Sequence, residues 1–190
     1  MLASINAMAA DFFKDGIGYD LTSGIGGYYL EVVPRPDEVA YTGNVVIAST
    51  PNVLNNSTGI GPWEVWIIRG DAFVNCNSLT SITLPKTLHS IWSADTYADE
   101  KPYSYGGFGG CTGLKSITLP ASMTSLGECT FADCTSLKTL SIPENVSYQY
   151  YYGSLAPGCT SMTSITVDSK NEYLSSIDGV LYDKEATRII

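Results

Sequence analysis

The chain has 190 residues, 44% of them hydrophobic, and a formal net charge of −9. That length and apolar content suit one elongated domain with a continuous buried core. The acidic balance argues against nucleic acid or an anionic membrane as partner, because both call for a basic face, and no apolar run approaches the ~20 residues that span a bilayer as a helix.

Residues 1–10, MLASINAMAA, lack a basic n-region, yet Ala7-Met8-Ala9 is an A-x-A pattern with polar sequence after it. The stretch reads either as the tail of a secretory signal or as a disordered leader. Residues 11–64 have no repeat rhythm; their Gly-rich, aromatic segments predict an N-terminal β cap. From Val65 the organisation changes. CNSLTSITLP at 76–85, CTGLKSITLP at 111–120, CTSLKTLSIP at 134–143 and CTSMTSITVD at 159–168 are variants of one pattern. Such recurrence marks a solenoid, in which each unit buries its apolar face only against its neighbours.

Cys76, Cys111, Cys134 and Cys159 head the blocks at steps of 35, 23 and 25 residues, so the unit is 23 residues with insertions at 92–107 and 148–155. Apolar residues follow each Cys at fixed offsets: Leu79, Ile82 and Leu84; Leu114, Ile117 and Leu119; Leu137, Leu140 and Ile142; Met162, Ile165 and Val167. The last two of each set alternate, which is strand spacing. Pro85, Pro120 and Pro143 close three of these strands, since proline cannot donate to a sheet ladder; Asp168 stands there in the fourth. A second apolar pair comes next, Leu88 with Ile91 and Met123 with Leu126, and an aromatic residue precedes each of the first three Cys: Phe73, Phe108 and Phe131. Val65 and Ile68 form a partial repeat before Phe73, while Gln149 and Ala156 leave the fourth coil degenerate.

This combination resembles the BspA-like leucine-rich repeat family of bacterial surface proteins, over about residues 65–168. The resemblance implies a right-handed β-rich superhelix with a parallel sheet on one face. DFFKDGIGYDL at 11–21 and SSIDGVLYDKE at 175–185 share Asp-Gly-apolar-x-Tyr. They look like the hairpin-like elements that bracket repeats in that family, the second within a C-terminal end at 169–190. YTGNVVIA at 41–48 is similar to its first strand, with Ala48 in place of the usual proline. The family is associated with attachment to host matrix proteins and to other bacteria. The resemblance therefore implies a non-enzymatic, secreted or surface-exposed module that binds protein or glycan, or else a structural spacer in a larger surface protein.

The four block cysteines should form a ladder with rungs ~4.8 Å apart, too far for a disulfide without local movement, so they read as small apolar wedges. Cys129 falls outside the ladder. The only histidine, His89, lies between core positions Leu88 and Ile91, which puts it on the surface, and no nucleophile elbow accompanies it. No cofactor or metal site is expected: cysteine pairs two to four residues apart are missing, and Asp95, Asp99 and Glu100 lack a calcium-loop pattern.

Two surfaces remain as binding candidates. Alternation turns eight hydroxyl residues outward along the block strands: Ser81, Thr83, Ser116, Thr118, Thr139, Ser141, Ser164 and Thr166. They read either as sheet-compatible solubilising residues or as a broad contact face. The second surface is aromatic, with Trp92, Tyr97, Tyr103 and Tyr105 in one segment and Tyr148, Tyr150, Tyr151 and Tyr152 in the other. Both occupy the same place in the repeat, where long insertions in solenoids often carry the binding face. Ligand contact and shielding of a coil edge are the two readings, and neither excludes the other.

Overall fold

The computed structural model describes residues 11–24, 27–35, 37, 39–51, 54–55, 59–60, 63–93, 105–148 and 154–190, and among them regular structure is all strand. The chain before the repeats opens with a meander of β1 (Phe12–Lys14), β2 (Ile17–Gly24) and β3 (Gly27–Val33). Asp15 and Gly16, at φ 51° and 81°, turn the first hairpin. Two successive left-handed residues give the turn whose twist matches paired strands. β4 (Gly43–Val46), β5 (Leu54–Asn55) and β6 (Gly59–Ile60) follow, the last two paired antiparallel.

The repeats supply β7 (Val65–Ile68), β8 (Leu79–Thr83), β9 (Ser90–Ile91), β10 (Ser116–Ile117), β11 (Ser125–Leu126), β12 (Thr139–Ile142), β13 (Ser147–Tyr148) and β14 (Ser164–Val167). The block strands pair in parallel, β4–β8–β10 and β12–β14. Parallel pairing is not confined to that side. The second apolar pairs form their own ladder, with Ile68 opposite Ile91, Ile91 opposite Leu126 and Leu126 opposite Tyr148. This ladder joins the N-terminal meander in one sheet of order β1-β2-β3-β7-β9-β11-β13. Each return leg carries backbone groups that need partners, and the equivalent leg one rung away supplies them.

Between the two stacks lies the core. Leu79, Leu88, Ile91, Leu114, Met123, Leu126 and Leu137 are wholly buried. A spine of rings runs through it: Tyr41 to Phe73 at 4.5 Å, Phe73 to Phe108 at 5.1 Å and Phe108 to Phe131 at 5.9 Å. Its first member precedes the repeats, and the Tyr41 hydroxyl accepts from the Gly18 N–H and donates to the Val33 carbonyl. The spine stops at Ala156, as the sequence pattern requires.

The cysteine ladder does more than fill space. Cys111 Sγ donates to the Phe73 carbonyl at 3.1 Å, Cys134 Sγ to Phe108 at 3.2 Å and Cys159 Sγ to Phe131 at 2.9 Å. Each thiol thus ties its coil to the turn of the coil before. The residue preceding each Cys is left-handed in all four coils: Asn75, Gly110, Asp133 and Gly158 at φ 60°, 76°, 54° and 76°. Gly, Asn and Asp are the residues that tolerate this region.

The repeat geometry outlasts the fourth block. Leu88, Met123 and Val146 each donate a backbone N–H to the proline carbonyl three residues earlier, and Asn171 does the same to Asp168. A buried asparagine thus fills the first apolar place of the next coil. Its side-chain amide donates to the Pro143 and Val146 carbonyls, and its Oδ1 accepts from the Tyr173 and Leu174 N–H groups. The chain then leaves the helical path in a hairpin of β15 (Leu174–Ile177) and β16 (Val180–Asp183), turned by left-handed Asp178 and Gly179.

Candidate binding surfaces

The block strands build the first surface by alternation. Ile82, Ile117, Leu140 and Ile142 point inward and are at most 8% exposed, while Thr83, Ser116, Thr118, Thr139, Ser141 and Thr166 are exposed and Ser81 and Ser164 half-buried. Lateral hydrogen bonds fix some of them, Ser81 Oγ to Asn44 Oδ1 at 2.7 Å and Ser141 Oγ to Thr166 Oγ1 at 2.8 Å. The face begins before the first block, because β4 pairs with β8 and adds Asn44 and Val46 to the columns of Ser81 and Thr83. It ends where the C-terminal hairpin lands: the Gly179 carbonyl accepts from the Ile165 N–H at 2.8 Å. A Cβ on Gly179 would press against Ser164.

The aromatic segments divide. Trp92 is 42% exposed, on a corner fixed by a bond from its own N–H to the Ile68 carbonyl and one from the Gly107 N–H to its carbonyl. An antiparallel bridge between Ser93 and Gly106 closes the base of the insertion beside it. Tyr105 turns back onto the coil, with its hydroxyl donating to Asp133 Oδ2 at 2.7 Å and its ring lying where a side chain on Gly109 would be. Tyr148, expected among the projecting tyrosines, is a core residue at 6% exposure. The leg from Pro143 is one residue shorter than its counterparts, so Tyr148 rather than Gln149 pairs with Leu126, and burial pushes its hydroxyl pKa well up. Tyr97, Tyr103, Tyr150, Tyr151 and Tyr152 lie outside the described residues.

A second aromatic row escaped the sequence reading. Tyr29 stacks on Trp66 at 5.0 Å and 10°, and His89 lies against the other side of Trp66 at 5.1 Å. Trp66 is the extra residue of a bulge, because Leu30 faces Val65 while Glu31 faces Ile67, and bulges re-aim side chains in this way. The signal was present, since Trp66 and His89 stand one repeat apart. Tyr29 and Trp66 stack face to face and His89 meets Trp66 at a 52° tilt, a cross-strand row that ties β3 to the first coils. His89 is accordingly half-buried, with Nδ1 shielded from solvent, not an open surface residue.

Charge collects beside this row. Arg69 binds Asp71 bidentately at 2.7 and 3.1 Å and Asp20 at 3.0 Å. Desolvation raises the carboxyl pKa of Asp20 and of Glu31, the latter only 7% exposed. Among the described residues no group of His, Cys, Asp and Glu is arranged to hold a metal ion. A cleft of about 340 Å³ lies between β13 and the C-terminal hairpin, with Tyr148, Glu172, Tyr173 and Glu185 on its walls.

Stacked parallel strands, repeated turns and an apolar ladder define a leucine-rich-repeat solenoid. Residues 56–96 and 104–178 match the BspA type leucine-rich repeat region in six copies, and the chain belongs to that family. The fold is also similar to a leucine-rich repeat protein from Bacteroides capillosus, with TM-score 0.57 and 18% identity over 80% of this chain and 94% of that one. It is similar as well to the pneumococcal vaccine antigen PcpA, with TM-score 0.53 and 18% identity over 91% of this chain and 53% of that one. No curated protein matches the sequence. Family and fold together mark a protein-interaction module, since solenoids offer extended surfaces on rigid, repeating supports.

Proposed function

We propose that the chain is a non-enzymatic binding module, secreted or displayed on a bacterial surface, that engages protein or glycan on a host or bacterial cell. The exposed Trp92 ring carries this reading. It sits on a corner fixed by backbone bonds, so little freedom is lost when a ligand covers it, and large aromatic side chains dominate contact energy. Tyr97, Tyr103, Tyr150, Tyr151 and Tyr152 complete the proposed contact set; Tyr105 and Tyr148 are excluded by their structural roles. The neutral hydroxyl face offers hydrogen bonds without charge. The pneumococcal antigen among the similar structures supports a surface location.

The test is a binding screen against extracellular-matrix proteins and glycan arrays. Trp92→Ser, Tyr103→Ser, Tyr151→Ser and Tyr152→Ser combined in one variant should abolish a hit at least tenfold while circular dichroism stays unchanged. A folded variant that binds like the parent contradicts the aromatic site. Loss instead in a Thr83→Arg, Thr118→Arg, Thr139→Arg variant moves the contact to the hydroxyl face. Absence of any ligand favours the alternative, a spacer within a larger surface protein.

A further inference from the structure

Acidic and basic residues are segregated on this molecule. The chain holds 19 Asp and Glu against 10 Lys and Arg, yet none of the 19 falls between the cysteine and the last apolar residue of any block, at 76–84, 111–119, 134–142 or 159–167. Two lysines do fall there. Lys115 and Lys138 are both exposed and, among the described residues, outside every ion pair. Each stands four residues after its cysteine, so they hold one place in adjacent coils, whose Phe108 and Phe131 rings stack at 5.9 Å. Coil stacking puts their backbones roughly 5 Å apart, and like charges on neighbouring rungs repel. The fold does not call for them. Thr80 and Thr163 fill the same place in the first and fourth coils, and each uses its hydroxyl to tie its strand to the one before. Thr80 Oγ1 donates to the Gly43 carbonyl and Thr163 Oγ1 to the Lys138 carbonyl, both at 3.0 Å. A lysine gives up that bond and adds repulsion.

We propose that the block-strand face docks an acidic polysaccharide laid along the rod, with a sulfate or carboxylate group of one sugar bridging the Lys115 and Lys138 ammonium groups. The contact lies on a different sheet from the Trp92 corner and does not rest on it. Charge complementarity selects the partner, because an anion between the two lysines turns their repulsion into attraction and no acid of the block strands opposes it. The rest of the face selects sugar. Ser116 and Thr139 directly follow the two lysines, Thr118 and Ser141 stand two residues further on, and all four are exposed. A hydroxyl both donates and accepts, as sugar hydroxyls do, and the columns present hydroxyls again at each coil, which suits a chain of repeating units. A nucleic acid would call for more phosphate contacts than two cations supply and for rings on which its bases stack. An acidic peptide would call for pockets that take anchoring side chains. The block strands turn only Ser, Thr and Lys outward.

The experiment titrates the full-length chain at low salt with heparin, neutral dextran, poly-glutamate and duplex DNA, read by affinity electrophoresis. Heparin should bind, and the other three should bind more weakly by about tenfold or more. Lys115→Thr combined with Lys138→Thr installs the residue of the first and fourth coils, so the fold is kept. It should weaken heparin by about tenfold and flatten the salt dependence. Lys14→Thr combined with Lys170→Thr makes the same change in net charge at exposed positions outside the block strands and should leave heparin binding unchanged, as should Trp92→Ser. Thr118→Val combined with Ser141→Ala keeps both lysines and should weaken it severalfold. Failure of the parent to bind heparin, or binding of dextran, poly-glutamate or DNA as tightly, overturns the proposal with no variant needed. Equal loss in the two lysine pairs, loss with Trp92→Ser or full affinity in the hydroxyl variant overturns it as well.

Discussion

The three inner coils and the closing coil are built from one pattern and end differently. In the inner coils Phe73, Phe108 and Phe131 stack, Leu79, Leu114 and Leu137 are wholly buried, and each return turn begins with an apolar residue. In the closing coil Ala156 replaces the ring, Met162, Ile165 and Val167 are only partly buried, and the following turn begins with Asn171. A solenoid gains stability from neighbouring interfaces, so the coil with an equivalent coil on one side and only a short hairpin on the other has the most to lose from an unfinished core. The molecule manages that end with a polar lock: one asparagine side chain makes four hydrogen bonds across the last coil and the hairpin.

The contrast can be broken by matched substitutions. Leu137→Ala removes a fully buried side chain and should cost about 2–5 kcal/mol, measured by urea unfolding. Met162→Ala at the equivalent place should cost less than half as much. Equal losses would mean that the closing coil is packed as tightly as the inner ones. Asn171→Ala removes the side-chain partner of the Val146 carbonyl and of the Tyr173 and Leu174 N–H groups, while Pro143 keeps the Val146 N–H, and should cost about 1–3 kcal/mol. Limited proteolysis should then cut first at the C-terminal hairpin and leave the inner coils intact.

A smaller effect separates the two ends of the rod by pH. Burial, the main cause, raises the Glu31 carboxyl, Asp20 and Asp71 add to it, and a hydrogen bond from Thr22 and the charge of Arg69 oppose it. A carboxyl with a raised folded pKa contributes stability that is complete below its unfolded value and lost as pH rises through the folded one. Glu31→Gln, which keeps an acceptor for Thr22, should therefore raise the melting temperature at pH 7 by a few degrees. The difference should close below the ordinary glutamate value of 4.5. A lower melting temperature at neutral pH would show that the ionised Glu31 is worth more to Arg69 than its burial costs.

Recurrence made most of the coil architecture legible. The Cys, Leu, Ile and Phe positions each recur at one offset, and the structure buries them together. What escaped were features that keep a conformation or a period without keeping a residue type. Asn75, Gly110, Asp133 and Gly158 share a left-handed backbone under three different names. Asn171 sits at an apolar offset but solves the same problem with hydrogen bonds. Trp66 and His89 differ in chemistry, so their common spacing was not read as a stacked pair. Tyr148 was misplaced because a one-residue shortening of its leg shifts the strand register, and register decides which face a side chain takes. The hydroxyl face followed from alternation alone, although its start at Asn44 and Val46 required the pairing of β4 with β8.

Native-state hydrogen exchange tests the central claim most directly, because each coil carries a reporter in its turn. The Phe73, Phe108 and Phe131 amides donate to Gly107, Thr130 and Leu155 of the coils that follow them, whereas in the closing coil Cys159, like each block cysteine, donates within its own turn and Ile165 donates to the hairpin. The inner reporters should exchange slowest, at the rate of global unfolding, and Cys159 and Ile165 should open at least tenfold faster. Uniform protection along the rod would contradict the account, since it would show the closing coil and its polar lock to be as stable as the aromatic spine.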